Sequence, residues 1–141
     1  MPYPEELVRP MREELTSVGV QELKSAAEVD TFMAQKTGTA MVIVNSVCGC
    51  AAGGARPGVR LALQSAHKPE RVATVFAGQD TAAVAKLRSY IADIPPSSPS
   101  IAIFKNGELV HFVPRHMIEG RDPKGIASEL TKAFEQTLAK A

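Results

Sequence analysis

The feature that most constrains the fold of this 141-residue chain is a run of five apolar residues, Ala-Met-Val-Ile-Val, at positions 40–44. A strand that is apolar at every position is typical of a sheet covered on both faces. A second apolar run at 71–78 is followed, like the first, by apolar residues at helical spacing. This alternation predicts an α/β domain and excludes an all-α or all-β one.

Further helices are predicted around these strands. Residues 4–18 carry apolar side chains at helical spacing and predict an amphipathic N-terminal helix, followed by a short strand at 20–24. Ser25 is a candidate N-cap for a helix that ends at Gly38, and Asp80 is one for the helix after the second apolar strand. A helix behind the cysteines is predicted from three apolar residues at helical spacing: Val59, Leu63 and Ala66.

The second half of the chain predicts a hairpin and a closing helix. Asn106-Gly107, between apolar segments at 101–105 and 108–114, is the dipeptide favoured in a two-residue type I′ turn. The C-terminal segment then repeats an apolar residue every four positions, which predicts a helix that faces the core: Ile126, Leu130, Phe134 and Leu138.

These elements follow the βαβ and then ββα order of a thioredoxin-like fold. The prediction is an α/β domain with a central mixed sheet flanked by helices and an extra N-terminal helix, in a single domain over residues 1–141. The order alone leaves other small α/β arrangements open.

Charge and hydropathy narrow the class of function. The chain has 16 Lys and Arg against 15 Asp and Glu, so no charge imbalance favours nucleic acid or an anionic membrane as a partner. The first fifteen residues lack the continuous apolar stretch of a signal peptide, and no run approaches the ~20 apolar residues of a membrane span. We therefore expect a cytoplasmic protein, in which a close cysteine pair is more often catalytic, redox-sensing or metal-binding than structural.

Both cysteines of the chain, Cys48 and Cys50, flank Gly49 where the buried strand meets the next helix. The N-terminus of a helix favours a thiolate, so Cys48 is the candidate nucleophile. On a regular helix two residues this far apart point in different directions, about 200° round the axis. A disulfide between them needs a backbone excursion that Gly49 permits. Such a bond would be strained and easily reduced, which suits thiol exchange.

Two other interpretations of the pair stay open. Both cysteines could be buried structural residues, because a free cysteine often packs as a small apolar side chain. A metal site would require further ligands, and the three histidines His67, His111 and His116 lack zinc-like spacing to the pair. A cuprous or iron–sulfur cargo held between two protomers belongs to the same alternative.

Two longer motifs carry a resemblance to a known family. The segments VNSVCGCAAGGARPGV at 44–59 and PPSSPSIAIFKNGELVHFVPRHMIEGR at 95–121, with their spacing, resemble the bacilliredoxins. These are thioredoxin-like proteins with a Cys-Gly-Cys active site that act on bacillithiol mixed disulfides. The resemblance extends over essentially the whole chain.

The resemblance implies a mechanism. Cys48 would attack a protein thiol capped by bacillithiol and take the bacillithiol onto itself, so that the client protein leaves reduced. Bacillithiol would be a co-substrate, with no bound cofactor. Free bacillithiol and a downstream reductase, or Cys50, would then regenerate Cys48. A general disulfide isomerase or weak oxidant is the alternative enzyme, and the formation of a homodimer is left open.

The resemblance also implies further site residues. The family's fold places a cis proline opposite the nucleophile, and Ser98-Pro99 occupies that position in this sequence. Because bacillithiol carries carboxylates, nearby cations would help to bind it, and the candidates are Arg56, Arg115 and His116. Two departures from ordinary thioredoxins stand out: Val47 replaces the usual aromatic residue before the first cysteine, and the strand before it contains no carboxylate.

Overall fold

The computed structural model describes the backbone of residues 2–138 and the side chains of residues 2–137. Five strands form one sheet in the order β1–β3–β2–β4–β5, in which β1, β3 and β2 run parallel and β4 and β5 are antiparallel to their neighbours. Their bounds are β1 Gln21–Glu22, β2 Thr39–Asn45, β3 Arg71–Phe76, β4 Ser100–Lys105 and β5 Glu108–Val113.

Helices cover both faces of this sheet. They are α1 Glu5–Thr16, α2 Ala26–Ala34, α3 Arg56–Ala62, α4 Thr81–Ser89 and α5 Pro123–Ala133. Helices α1, α3 and α5 contribute to the core on one face, and α2 and α4 to the core on the other. Strand β2 supplies Met41 and Ile43 to the first core and Val42 and Val44 to the second, which explains why its positions 40–44 are all apolar. The predicted α/β arrangement with an extra N-terminal helix is confirmed.

Several local predictions are also confirmed. The hydroxyl of Ser25 accepts a hydrogen bond from the backbone N–H of Glu28 at the start of α2. Asn106 and Gly107 both have positive φ, at 53° and 82°, as a type I′ turn requires. Ile126 is buried in α5, whereas the side chain of Leu138 lies outside the described residues.

Two helix ends differ from the prediction. Helix α2 stops at Ala34, so the chain leaves the helix four positions before Gly38, which takes a positive φ. Helix α3 stops at Ala62, and Ala66 lies exposed beyond it, so its helical spacing to Val59 was misleading.

Asp80 lies at the predicted N-cap position of α4, but the prediction that its side chain caps the helix is wrong. Asp80 occupies the position before α4, but its carboxylate makes no capping bond and instead accepts a hydrogen bond from Arg12 over 2.7 Å. The Arg12 side chain is buried and also pairs with Glu5 at 2.9 Å and Glu22 at 2.8 Å. Three carboxylates therefore compensate one buried guanidinium, which ties α1 to β1 and to the loop before α4.

Small residues allow α3 to pack closely on α5. A Cβ atom at Gly58 would lie 2.8 Å from Cγ2 and 2.9 Å from Cβ of Ile126, and one at Gly54 would lie 3.0 Å from Cδ1 of the same residue. Glycine at these two positions thus sets the distance between the helix that follows the cysteines and the last helix. Within the described part of the chain, none of the helices has the length and apolar character needed to cross a bilayer.

Candidate active site

Cys48 begins the helical segment that follows strand β2. Its carbonyl accepts hydrogen bonds from the backbone N–H groups of Ala51 and Ala52, both over 3.1 Å, and a π-helical turn, Ala51–Ala55, then leads into α3. Both Cys48 and Cys50 are free thiols and partly buried. The predicted strand-to-helix junction is therefore present, with the unpaired N–H groups of the first turn next to the nucleophile candidate.

Ser46 supplies a hydrogen bond that was not predicted from the sequence. Its hydroxyl donates to Sγ of Cys48 over 3.1 Å. Burial raises the pKa of the Cys48 thiol, but hydrogen bonds from Ser46, from the backbone N–H groups of Ala51 and Cys50 and from the Cys50 thiol outweigh it, so the pKa is lowered overall. The serine two positions before the first cysteine was the available signal.

The second thiol titrates in the opposite direction. Burial raises the pKa of Cys50, and the negative charge on Cys48 and the hydrogen bond between the two thiols raise it further, while the charge of Arg115 lowers it. Cys50 is therefore the thiol that keeps its proton when Cys48 ionises. This asymmetry favours Cys48 as the candidate nucleophile and Cys50 as a neighbouring proton donor.

Gly49 is helical while both thiols are free, and the backbone excursion predicted for a Cys48–Cys50 disulfide stays a prediction. Its φ is outside the positive region, and it continues the helical turn between the two free thiols. A Cβ atom built at Gly49 would meet nothing within 4 Å outside its own turn and chain neighbours. While both thiols are free, neither backbone strain nor close packing requires glycine at this position. Only a Cys48–Cys50 disulfide would require its conformational freedom.

The loop before β4 forms the opposite side of the site. The Ser98–Pro99 peptide bond is cis, and Pro99 is buried directly before Ser100, which pairs with Val44 of β2. Ser98 lines a cavity of about 220 Å³ together with Cys48. The structure therefore brings the predicted Ser98-Pro99 loop to the end of the strand that carries the cysteine motif.

Of the three predicted cations, Arg115 lies at the site. Its guanidinium lines the same cavity as Cys48, donates to the Ser98 carbonyl over 3.2 Å and approaches Sγ of Cys50 at 3.8 Å. Glu119 pairs with its Nε at 2.6 Å. His116 is exposed in the same short turn, Arg115–Met117, and does not line this cavity.

Arg56 does not fit the substrate-binding role predicted for it. The residue is only 2% exposed, and its Nη1 donates to the carbonyl of Ser46 over 2.6 Å and to Oδ1 of Asn45 over 3.0 Å. Its Nε lies 3.2 Å from a carboxylate oxygen of Glu14 in α1. Arg56 therefore holds the turn that contains Ser46 through buried contacts, and its guanidinium is not exposed to a ligand.

None of the three histidines considered as metal ligands lines the cavities at Cys48 and Cys50. His111 contacts Glu129 at 3.0 Å, and His67 is exposed in the loop after α3. Among residues 2–138, no three His, Cys, Asp or Glu side chains are grouped as a metal site would require.

Comparison with known proteins places the chain in a family. A family model described as Disulphide isomerase matches residues 3–138. The chain is 53% identical to the Bacilliredoxin of Cytophaga hutchinsonii, over 95% of this chain and 98% of the relative. It is 49% identical to Bacilliredoxin ABC2045 of Shouchella clausii, over 98% of this chain and 95% of the relative.

Solved structures support the fold. An oxidised thioredoxin of Plasmodium falciparum aligns with a TM-score of 0.56 at 16% identity and covers 85% of this chain and 99% of its own. Thioredoxin O2 from Arabidopsis thaliana aligns with a TM-score of 0.55 at 19% identity and covers 86% of this chain and 96% of its own. The chain therefore belongs to the bacilliredoxin family and is an oxidoreductase with the thioredoxin fold.

Proposed function

We propose that this protein removes bacillithiol from S-bacillithiolated client proteins in the cytoplasm, with Cys48 as the nucleophile. The observation that carries the proposal is the hydrogen bond from the Ser46 hydroxyl to Sγ of Cys48 at the start of a helix, beside a cavity that contains Arg115. This environment favours the thiolate of Cys48, which is the reactive form in disulfide exchange.

In the proposed first step, the Cys48 thiolate attacks the bacillithiol sulfur of the client mixed disulfide. A bond forms between Cys48 and bacillithiol, the bond between bacillithiol and the client breaks, and the client leaves as a thiolate that takes a proton from solvent. Electrons balance, since one disulfide is exchanged for another. Cys50, whose pKa is raised mainly by burial, stays protonated and stabilises the charge on Cys48 before attack.

Two routes regenerate Cys48. A bacillithiol thiolate attacks the bacillithiol sulfur on Cys48, which frees Cys48 and yields the disulfide of bacillithiol. Alternatively, Cys50 loses its proton and attacks Sγ of Cys48, which releases bacillithiol and leaves a Cys48–Cys50 disulfide for an external thiol to reduce. The second route requires the helical turn at Gly49 to change, because both residues lie in a continuous turn when their thiols are free.

Arg115 is the residue we assign to the carboxylates of bacillithiol. Its guanidinium lies on the wall of the Cys48 cavity, and guanidinium groups bind carboxylates with paired, charge-assisted hydrogen bonds. The ion pair with Glu119 is exposed, so a ligand carboxylate competes with it at little cost.

The test is the rate at which a bacillithiolated client protein recovers its free thiol. Cys48→Ser is expected to abolish release above the uncatalysed rate, while Cys50→Ser retains the first turnover. Equal release by the wild type and by Cys48→Ser would contradict the proposal.

A second candidate is a general disulfide isomerase, which the description of the matching family model favours. Rates on a protein with scrambled disulfides, measured beside rates on the bacillithiolated client, separate the two functions. Faster action on the scrambled protein would favour the isomerase.

A further inference from the structure

The segment that precedes α1 reaches the Cys48 cavity. Tyr3 lines that cavity together with Cys48, Gly78 and Arg115. Its backbone N–H donates to Oε1 of Gln79 over 2.7 Å, and Nε2 of Gln79 donates to its carbonyl over 3.0 Å. Both backbone groups of Tyr3 are therefore bound to one side chain of the loop after β3, which fixes the residue at the mouth of the cavity.

The ring of Tyr3 packs on the backbone of this loop. A Cβ atom at Gly78 would lie 3.3 Å from Cε2 of the ring, and Gly78 has a φ of +79°, which favours glycine. Tyr3 is nevertheless 37% exposed, so part of the side chain stays open. The chain's other tyrosine, Tyr90, donates to Asp30 over 2.6 Å and does not line the cavity.

The cavity thus holds three kinds of group beside each other: a thiol, an aromatic ring and a guanidinium. Bacillithiol joins its thiol to a sugar ring and then to two carboxylates. A bacillithiol whose sulfur is bonded to Cys48 would bring its sugar next to the cavity wall and its carboxylates within reach of a cation. Aromatic side chains provide a flat apolar surface for such a ring, and Arg115 provides the cation.

We propose that Tyr3, clamped by Gln79, forms the wall of the bacillithiol subsite that packs against the sugar ring, and so selects bacillithiol over smaller thiols. The proposal rests on the function proposed above and names a specificity-determining residue for it. Tyr3 supplies the aromatic surface that Val47, directly before Cys48, does not.

The first test compares one client protein capped either with bacillithiol or with cysteine. Cysteine lacks both the sugar ring of bacillithiol and the two carboxylates attached to that ring. Tyr3→Ala is expected to lower kcat/KM for the bacillithiol-capped client about tenfold and to leave the cysteine-capped rate unchanged. Tyr3→Phe should retain the wild-type ratio, and Gln79→Ala should lower it because the clamp is lost. Tyr90→Ala is the matched control. An equal loss on both clients, or none on either, would overturn the proposal.

The second test does not depend on turnover. Reduced bacillithiol is titrated calorimetrically into Cys48→Ser and into the double variant with Tyr3→Ala, where the affinity should fall about tenfold. If the wild type released no client yet this Tyr3-dependent binding remained, the proposed function would fail while the subsite stood. If the double variant bound bacillithiol as tightly as Cys48→Ser, the subsite would be wrong whatever the activity.

Discussion

The hydroxyl of Ser46 donates to Sγ of Cys48 over 3.1 Å, and the backbone of Ser46 is itself held by two side chains. Arg56 donates to the Ser46 carbonyl over 2.6 Å, and Asn45 accepts from the Ser46 N–H over 2.9 Å while its own amide donates to Met11 of α1. The environment of the Cys48 thiol therefore depends on contacts that reach back to the N-terminal helix.

Replacing Ser46 with alanine removes the hydroxyl donor to the thiolate. We expect the pKa of Cys48 to rise and its alkylation rate at neutral pH to fall about tenfold, as expected for one hydrogen bond to a charged group. Titration of the thiolate ultraviolet absorbance measures the pKa. Ser89→Ala, at an exposed serine bonded to the Lys86 carbonyl, is the control. An unchanged midpoint in Ser46→Ala would refute this role.

The two thiols should react in sequence as pH rises. Since the pKa of Cys48 is lowered and that of Cys50 is raised, Cys48 becomes a thiolate at lower pH, and the thiolate is the form that attacks iodoacetamide and displaces iodide. Limited alkylation at neutral pH should label Cys48 first, with Cys50 labelled only at alkaline pH. Peptide mass spectrometry reads both positions, and urea-unfolded protein should show little preference. Preferential labelling of Cys50 in the folded protein would reverse the assignment.

Arg56→Met should weaken both the fold and the site. The substitution takes the Arg56 donor from the buried Ser46 carbonyl and one of two donors from the Asn45 amide oxygen, and we expect a loss of about 3 kcal/mol of unfolding free energy. The pKa of Cys48 should rise as Ser46 loses its support. Denaturant unfolding measures the first effect and thiolate absorbance the second.

Arg60→Met is the matched control on the same helix, because Arg60 is exposed and bonded to the Glu14 carbonyl and the Ser17 hydroxyl. It should cost about 1 kcal/mol or less. Equal losses of unfolding free energy for Arg56→Met and Arg60→Met would show that the buried contacts of Arg56 stabilise the fold no more than the exposed contacts of Arg60.

The close approach of α3 and α5 predicts a contrast between two glycines. Gly58→Ala places a methyl group 2.8 Å from Cγ2 and 2.9 Å from Cβ of Ile126 and should destabilise the fold by about 1–3 kcal/mol. Gly53→Ala meets nothing within 4 Å in a helical turn and should be neutral or stabilising by up to about 1 kcal/mol. Thermal unfolding of both variants checks the contrast, and a stable Gly58→Ala protein would show that the helices move apart freely.

Much of the fold could be predicted because its signals are local. Strand β2 is apolar at positions 40–44 since these residues contribute to two cores, and Asn106 and Gly107 have the positive φ angles that their turn type requires. The helix start at the cysteines could also be predicted, because the apolar strand ends there and apolar residues at helical spacing follow. The helix end after Val59 could not be predicted, because apolar spacing continues to Ala66 although the chain has already left the helix.

The supporting contacts of the site could not be predicted because they join distant segments. Arg56 follows the cysteines closely in sequence, yet it is buried rather than ligand-facing because Glu14 of α1 and the Ser46 carbonyl surround it. Asp80 has the residue type of a cap, but the buried charge of Arg12 is the stronger attraction. Tyr3 is held beside the cavity by its bonds to Gln79, 76 positions away.

The most direct measurement is the mass of the peptide that contains Cys48 after Cys50→Ser protein reacts with a bacillithiolated client. The predicted result is one bacillithiol on Cys48 for each client thiol released, since Cys50 is no longer present to displace it. The adduct should be absent when Cys48 is also replaced by serine. Release of the client without bacillithiol on Cys48 would contradict the assignment of Cys48 as the nucleophile that accepts it.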